Sequence, residues 1–166
     1  MRFPAFQNLE EVAVAETPAV AVEPIEEVAV AKATPHEVLR ANAIAERERA
    51  SQGKLERVLD YTKQTMVAYM SEAELDRLYG YITEYSLGDA PCEVSPVSVD
   101  SALKSIDLMH FGWNIGKAFG KKSIHTATFI KNVLAHALRD IEVSTIEHKM
   151  SHTESECRIK LDGEIG

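Results

Sequence analysis

The segment SALKSIDLMHFGWNIGKAF (residues 101–119) decides the fold of this chain. Its apolar residues recur at helical spacing along two stripes, so a helix over this segment is apolar around much of its circumference. The first stripe holds Leu103, Ile106, Met109, His110 and Trp113, and the second holds Leu108, Phe111, Ile115 and Phe119. We therefore predict a helix that is capped by Asp100 or Ser101, ends near Phe119 and is buried on more than one side. Gly112 and Gly116, four residues apart, allow a second helix to approach closely.

The residues after this helix predict a compact helical module with a short β element. Gly120 ends the helix, and Ser123 can cap a further helix that runs to about Leu138. A turn over residues 139–142 separates it from a short helix over residues 143–150. Residues 157–161 (CRIKL) alternate between apolar and basic side chains, which is the pattern of an edge strand. Helix, helix, turn, short helix and strand is the order found in winged helix-turn-helix modules, so a winged-helix-like fold is one interpretation of this third of the chain.

That interpretation defines a candidate nucleic-acid surface. In it, residues 143–150 form the helix that enters a groove, with Val143, Ile146 and Met150 facing the core. Lysines around this helix would neutralise phosphates, which is the contribution that dominates affinity for nucleic acid. The predicted contact residues are Lys117, Lys121, Lys122, Lys131, Ser144, Thr145, His148 and Lys149.

The same helices support a second interpretation, in which no nucleic acid is bound. The helix over residues 143–150 holds one lysine, no arginine and the acidic Glu147, and many modules of short amphipathic helices never contact DNA. In this alternative the chain is an acidic protein-interaction or inhibitor module that occupies the basic groove of a protein partner. A small acidic accessory protein of this kind would suit a phage or another mobile element.

The distribution of charge bears on both interpretations. The 166 residues carry a formal net charge of −8, which argues against a generic basic nucleic-acid coat. Residues 1–100 hold nine Lys and Arg against eighteen Asp and Glu, whereas residues 101–152 hold seven against four, a net charge of +3. The predicted nucleic-acid module is therefore the basic part of an acidic chain. Fluctuation of surface charge without functional meaning is the alternative explanation.

The middle of the chain, residues 34–88, is predicted to be helical. Capping boxes at residues 34–37 and 71–74 predict the start of two helices, the second running to about Tyr85. The sequence Ser51-Gln52-Gly53 predicts a break or a bend, after which a second helix runs from about Lys54 to Met70. Three tyrosines of the last helix could stack on nucleotide bases, but at helical spacing they are more typical of core and rim packing. These are Tyr79, Tyr81 and Tyr85.

The first 33 residues have a different composition, rich in Glu, Ala, Val and Pro. The block EEVAVA occurs at residues 10–15 and again at residues 26–31. Prolines interrupt its strand-like alternation, and low complexity with acidity favours a disordered acidic arm. A strand that forms only on a partner is the alternative. Phe3 and Phe6, ahead of this arm, are the candidate protein-docking residues.

Four parts follow from these patterns: an arm (1–33), a helical segment (34–88), a linker (89–100) and a compact module (101–166). The longest stretch without Asp, Glu, Lys or Arg has nine residues, whereas a membrane-spanning helix needs about 20 apolar residues. Two cysteines, Cys92 and Cys157, cannot form a disulfide framework and fit a reducing, cytoplasmic setting. A homo-oligomer is compatible with this organisation.

No pattern in the sequence predicts catalysis or a cofactor. The motifs of phosphate loops, dinucleotide-binding turns and nucleophile elbows do not occur. His148 and His152 lie one helical turn apart and are followed by Cys157, a set that could ligate a metal. Exposed, solvated histidines are the simpler explanation, because a fourth ligand would have to come from a distant part of the chain. We therefore expect a mainly α-helical, non-catalytic binding protein without cofactor or metal.

Overall fold

The computed structural model describes residues 33–88, 93–153 and 156–165, which confirm a mainly helical protein. The helices are α1 (Pro35–Met66), α2 (Glu72–Leu87), α3 (Ser105–Phe119), α4 (Ser123–Val133), α5 (Ala135–Leu138) and α6 (Val143–Lys149). No helix in these ranges is long and apolar enough to cross a membrane. Apart from Ala33, the predicted arm lies outside the described residues, as do its candidate docking residues Phe3 and Phe6.

Helix α1 is continuous over 32 residues. Its start matches the predicted capping box, because the Thr34 hydroxyl accepts the N–H of Glu37 at 3.2 Å and the Glu37 carboxylate accepts the N–H of Thr34 at 2.7 Å. Of the break or bend predicted at residues 51–53, the break is wrong, because one helix continues through these residues. Glycine in a helix interior costs only about 1 kcal/mol relative to alanine, and burial of Val58 and the residues one and two turns after it offsets that cost.

The chain divides into two units between Glu48 and Arg49. In the first unit, the described residues 33–48 are all exposed. The second unit, residues 49–166, contains the hydrophobic core, to which α2 to α6 and the later turns of α1 contribute.

Helix α2 begins as predicted and places a tyrosine in the core. The Ser71 hydroxyl accepts the N–H of Glu74 at 3.3 Å. Tyr85 is fully buried, and its ring stacks on Phe129 with centroids 4.2 Å apart and planes 7° apart. Its hydroxyl shares a 2.8 Å hydrogen bond with the Thr126 hydroxyl. Core packing therefore accounts for Tyr85, which is not available for base stacking.

Helix α3 is buried along most of its length, as the two apolar stripes predict. It begins at Ser105, later than expected, because the residue that caps it is Lys104. The Lys104 N–H donates to the Asp107 carboxylate at 2.8 Å, and Asp100 instead closes a turn by accepting the N–H of Ala102 at 2.7 Å. Gly120 ends the helix with a φ of 69°, in the left-handed region that favours glycine.

Two glycines bring α3 and α4 into direct contact, as their spacing predicts. A Cβ atom on Gly112 would lie 2.7 Å from Cδ1 of Ile130, and one on Gly116 would lie 2.7 Å from Cγ2 of Thr126. Carbon atoms in contact are normally about 3.5–4.0 Å apart. Only glycine at these two positions allows the observed packing.

The helix predicted from Ser123 to Leu138 is interrupted. Leu134 leaves helical geometry, with φ −108° and ψ 35°, and separates α4 from the single turn of α5. The turn that follows and the short helix α6 are confirmed, and Ile146 and Met150 are buried as predicted.

The predicted edge strand at residues 157–161 is wrong, because no strand occurs in the described segment 156–165. The alternation itself is correct, since Cys157 and Ile159 are buried while Arg158 and Lys160 are exposed. Alternation predicts which side chains are buried, but a strand also requires backbone hydrogen bonds to a neighbouring strand. The backbone of this segment bonds to side chains of α3 instead, so the winged-helix interpretation is not supported.

Candidate functional site

The predicted nucleic-acid residues differ in how available they are. Five are exposed and three are half-buried. The exposed residues are Lys117, Lys122, Ser144, His148 and Lys149, and the half-buried residues are Lys121, Lys131 and Thr145. Judged by exposure alone, five of the eight predicted side chains are accessible to a ligand.

The Lys131 side chain is held by hydrogen bonds within the fold. Its ammonium group donates to the carbonyl oxygens of Leu138, Arg139 and Ile141 at 2.7, 2.8 and 2.7 Å. An ammonium group has three N–H donors, so all of them are used. The positive charge lies against carbonyl groups at the end of α5, where a cation is favourable, and a phosphate would have to compete with these bonds.

Two further lysines lie against aromatic rings. The Lys121 ammonium donates to the carbonyl oxygen of Gly88 at 2.5 Å and lies 5.1 Å from the centroid of the Tyr85 ring. The Lys117 ammonium lies 5.9 Å from the centroid of the Trp113 ring. Cation–π contact of this kind leaves the exposed Lys117 accessible from the opposite side, whereas Lys121 also holds the end of α2.

Helix α6 presents a mixed rather than a basic surface. The Glu147 carboxylate accepts the hydroxyl of Ser123 at 2.6 Å, which ties α6 to the start of α4. Thr145 and Lys149 line an open pocket of about 330 Å³ whose other lining residues include Asp140 and Glu142. Two carboxylates therefore line the same pocket as Lys149, which reduces the positive charge that α6 offers to a phosphate.

A second candidate site, absent from the sequence-based predictions, lies on α3. Asp107, His110 and Asn114 are polar, yet each is no more than 1% exposed. Their spacing of three and four residues places them on one face of the helix. We call these three residues the polar row. All of them bond to the C-terminal segment, defined here as residues 156–165.

Asp107 begins the polar row by accepting backbone N–H groups. One carboxylate oxygen accepts the N–H of Arg158 at 2.5 Å and that of Ile159 at 3.1 Å, while the other accepts the N–H of Lys104. A buried carboxylate is costly unless hydrogen bonds compensate its lost hydration. Its bonds to three N–H groups supply that compensation and fix the start of the segment to α3.

His110 lies between two carbonyl groups. Its Nδ1 is 2.8 Å from the carbonyl oxygen of Ile159, and its Nε2 is 2.6 Å from that of His152. Carbonyl oxygens only accept hydrogen bonds, and a neutral imidazole has a single N–H. Both bonds therefore form together only when each ring nitrogen carries a proton.

Asn114 completes the polar row with its amide. The amide nitrogen donates to the carbonyl oxygen of Lys160 and to the Tyr61 hydroxyl, both at 2.8 Å, and the amide oxygen accepts the N–H of Asp162 at 2.6 Å. Burial raises the pKa of the Tyr61 hydroxyl, although its bond to Asn114 partly opposes that shift. Tyr61 thus stays neutral and links α1 to the polar row.

The sequence contained one signal for the polar row. Asp107, His110 and Asn114 interrupt the most apolar helix of the chain at a spacing that places them on a single face. Polar side chains on an otherwise buried helix need partners, and that rule points to a bound segment. It does not identify which segment, because the partners toward the C-terminus are main-chain atoms 42 to 52 positions away.

An open groove of about 440 Å³ borders the C-terminal segment. It lies between the end of α1 with the turn that follows it, represented by Tyr61 and Tyr69, and the stretch from Arg158 to Lys160. Within the described ranges, no three His, Cys, Asp or Glu side chains are placed to share a metal ion. No protein-family model, no curated protein and no solved structure matches this chain.

Proposed function

We propose that this protein is a non-catalytic binding protein that contacts a protein partner through the first part of α1. The observation that carries the proposal is the exposure of every residue from 33 to 52. An isolated helix of about this length is marginally stable in water. Contact with a partner would stabilise it and would cover apolar side chains that are otherwise in water.

The chemistry of this stretch favours a protein partner over nucleic acid. Val38, Leu39 and Ile44 are 47%, 66% and 48% exposed. Residues 35–52 contain three Glu and three Arg, so their formal charge cancels. Apolar side chains on a helix without net charge suit an apolar groove of another protein and offer no attraction to phosphates.

A capture experiment with the full, tagged chain tests this proposal. We expect a specific partner to be retained by the wild-type chain from its source cells, with or without nuclease. Leu39→Glu combined with Ile44→Glu should abolish retention. Leu87→Glu is the matched control, because Leu87 is 84% exposed on α2 and should not affect capture. Loss of capture in all variants alike, or no loss in the double variant, would contradict the proposed surface.

Nucleic-acid binding through the C-terminal third is the second candidate, favoured by the exposure of Lys117, Lys122 and Lys149. Binding to duplex DNA should then weaken steeply as salt rises, because released counterions drive it. Lys117→Glu with Lys122→Glu should remove binding, whereas Lys63→Glu, an exposed lysine of α1, should not. These variants avoid Lys121 and Lys131, whose carbonyl contacts stabilise the fold. Absence of binding at low salt would exclude this candidate.

A further inference from the structure

We propose that the polar row of α3 is a peptide-binding site, that the C-terminal segment occupies it as an intramolecular ligand, and that an extended peptide of a partner protein can take its place. The site involves none of the α1 residues assigned to partner contact above. Its test therefore succeeds or fails independently of that function.

The first argument is that the polar row binds main-chain atoms. Its side chains contact the N–H groups of Arg158, Ile159 and Asp162 and the carbonyl oxygens of Ile159 and Lys160. Peptide-recognition sites commonly gain affinity from such main-chain bonds, because every peptide offers the same groups. The bonds made by the polar row would therefore be available to another extended segment.

The second argument concerns side-chain selectivity. Cys157 and Ile159 are 7% and 5% exposed, so they supply apolar specificity at two alternate positions. Arg158, between them, is exposed but donates from Nε to the carbonyl oxygen of Ala102 at 3.1 Å. The occupant we infer is an extended peptide with a small apolar residue, a polar hydrogen-bond donor and then a branched apolar residue.

The third argument is that the segment can detach without unfolding the core. Within residues 156–165 no helix or strand forms, and few of its side chains are buried. Segments with few buried apolar contacts open locally at a lower free energy than the core does. A tethered segment nevertheless has an effective concentration in the millimolar range, so a free peptide competes well only when the tethered segment is weakened.

The experiment uses a fluorescent synthetic peptide with the sequence of residues 156–165 and the full-length chain. Ile159→Asp in the chain should expel its own segment, and fluorescence anisotropy should then show peptide binding at least about tenfold tighter than to the wild type. Adding Asn114→Ala to that variant should remove the gain. A peptide that carries Asp at the position of Ile159 is the matched control and should not bind.

Two results would overturn the proposal. One is an Ile159→Asp chain that retains its helical circular dichroism but binds the peptide no better than the wild type. The other is equal binding of the peptide and its Asp-containing control. Ile159→Ala provides a milder expulsion if the first variant does not fold.

Hydrogen exchange of the wild-type chain gives a second measurement. The amides of Arg158 and Ile159 should exchange at least about tenfold faster than those of Phe111 and Ile115 in α3, because the segment opens locally. Equal exchange rates would show that the segment leaves only with global unfolding, which is incompatible with replacement by a peptide.

Discussion

Replacing Gly116 by alanine tests the close packing of α3 against α4. The new methyl group would lie 2.7 Å from Cγ2 of Thr126. Moving Thr126 aside would disturb its 2.8 Å hydrogen bond to Tyr85 and its 3.2 Å bond to the carbonyl oxygen of Lys122. Overpacking a core costs about 1–3 kcal/mol, and a lost hydrogen bond adds about 1 kcal/mol. Alanine gains about 1 kcal/mol in helix propensity, so the free energy of unfolding should fall by about 2 kcal/mol.

Urea unfolding, followed by the fluorescence of Trp113, measures this change. Gly80→Ala is the matched control, because Gly80 lies inside α2 and its Cβ would meet no atom within 4 Å apart from its chain neighbours and the backbone of its own helix. There the same substitution should stabilise the protein by about 0.5–1 kcal/mol. If Gly116→Ala were as stable as the wild type, or if both variants shifted the urea midpoint in the same direction, the inferred close packing would be refuted.

Three further outcomes are expected. Lys131→Met should lower the free energy of unfolding by about 1.5–3 kcal/mol, since hydrogen bonds to a charged group have that magnitude; an unchanged urea midpoint would disprove its structural role. Asp107→Asn should speed amide exchange at Arg158 and Ile159, because a neutral amide oxygen is a weaker acceptor than a carboxylate; unchanged exchange there would count against the polar row. Hydrogen bonds from the N–H of Ser98 and, to a lesser extent, from Arg77 lower the pKa of the Glu74 carboxyl group. Ionised Glu74 therefore stabilises the fold fully above its unfolded pKa of about 4.3. That stabilisation is lost as the pH falls through the lower pKa of the folded state. Acid unfolding of Glu74→Gln should be less steep with pH than that of the wild type, and identical slopes would refute this.

Local features were predicted well from the sequence. Helix caps depend on residues within one turn of each other, so the local sequence is enough to predict them. This applies to the caps at Thr34 and Ser71 and to the end of the helix at Gly120. The break expected at residues 51–53 was wrong because a glycine in a helix costs less free energy than the packing of the following helical turns gains. Leu134 ends α4 without any glycine or proline to indicate it.

Features that depend on distant partners were not predictable. Lys131 was predicted to contact phosphates. Nothing in the sequence distinguishes a lysine that extends into solvent from one that donates to nearby carbonyl groups. The alternation at residues 157–161 was interpreted as a strand because the period of two is the same for any extended segment, whatever its hydrogen-bond partners. Only the structure shows that Asp107 and His110 supply those partners.

The main-chain contacts of the polar row determine which changes the C-terminal segment can accept over evolution. Lys160 is exposed, so most residue types could replace it without loss of attachment. Replacement of Arg158 would remove the bond from its Nε to the carbonyl oxygen of Ala102. Proline would be damaging at Arg158, Ile159 and Asp162, because each supplies an N–H to α3 that proline lacks. Insertion or deletion of one residue between Ile159 and Asp162 would be equally damaging, since it would shift the later N–H away from its acceptor. In homologues of this chain, the spacing within the segment should therefore vary less than the identity of its exposed side chains.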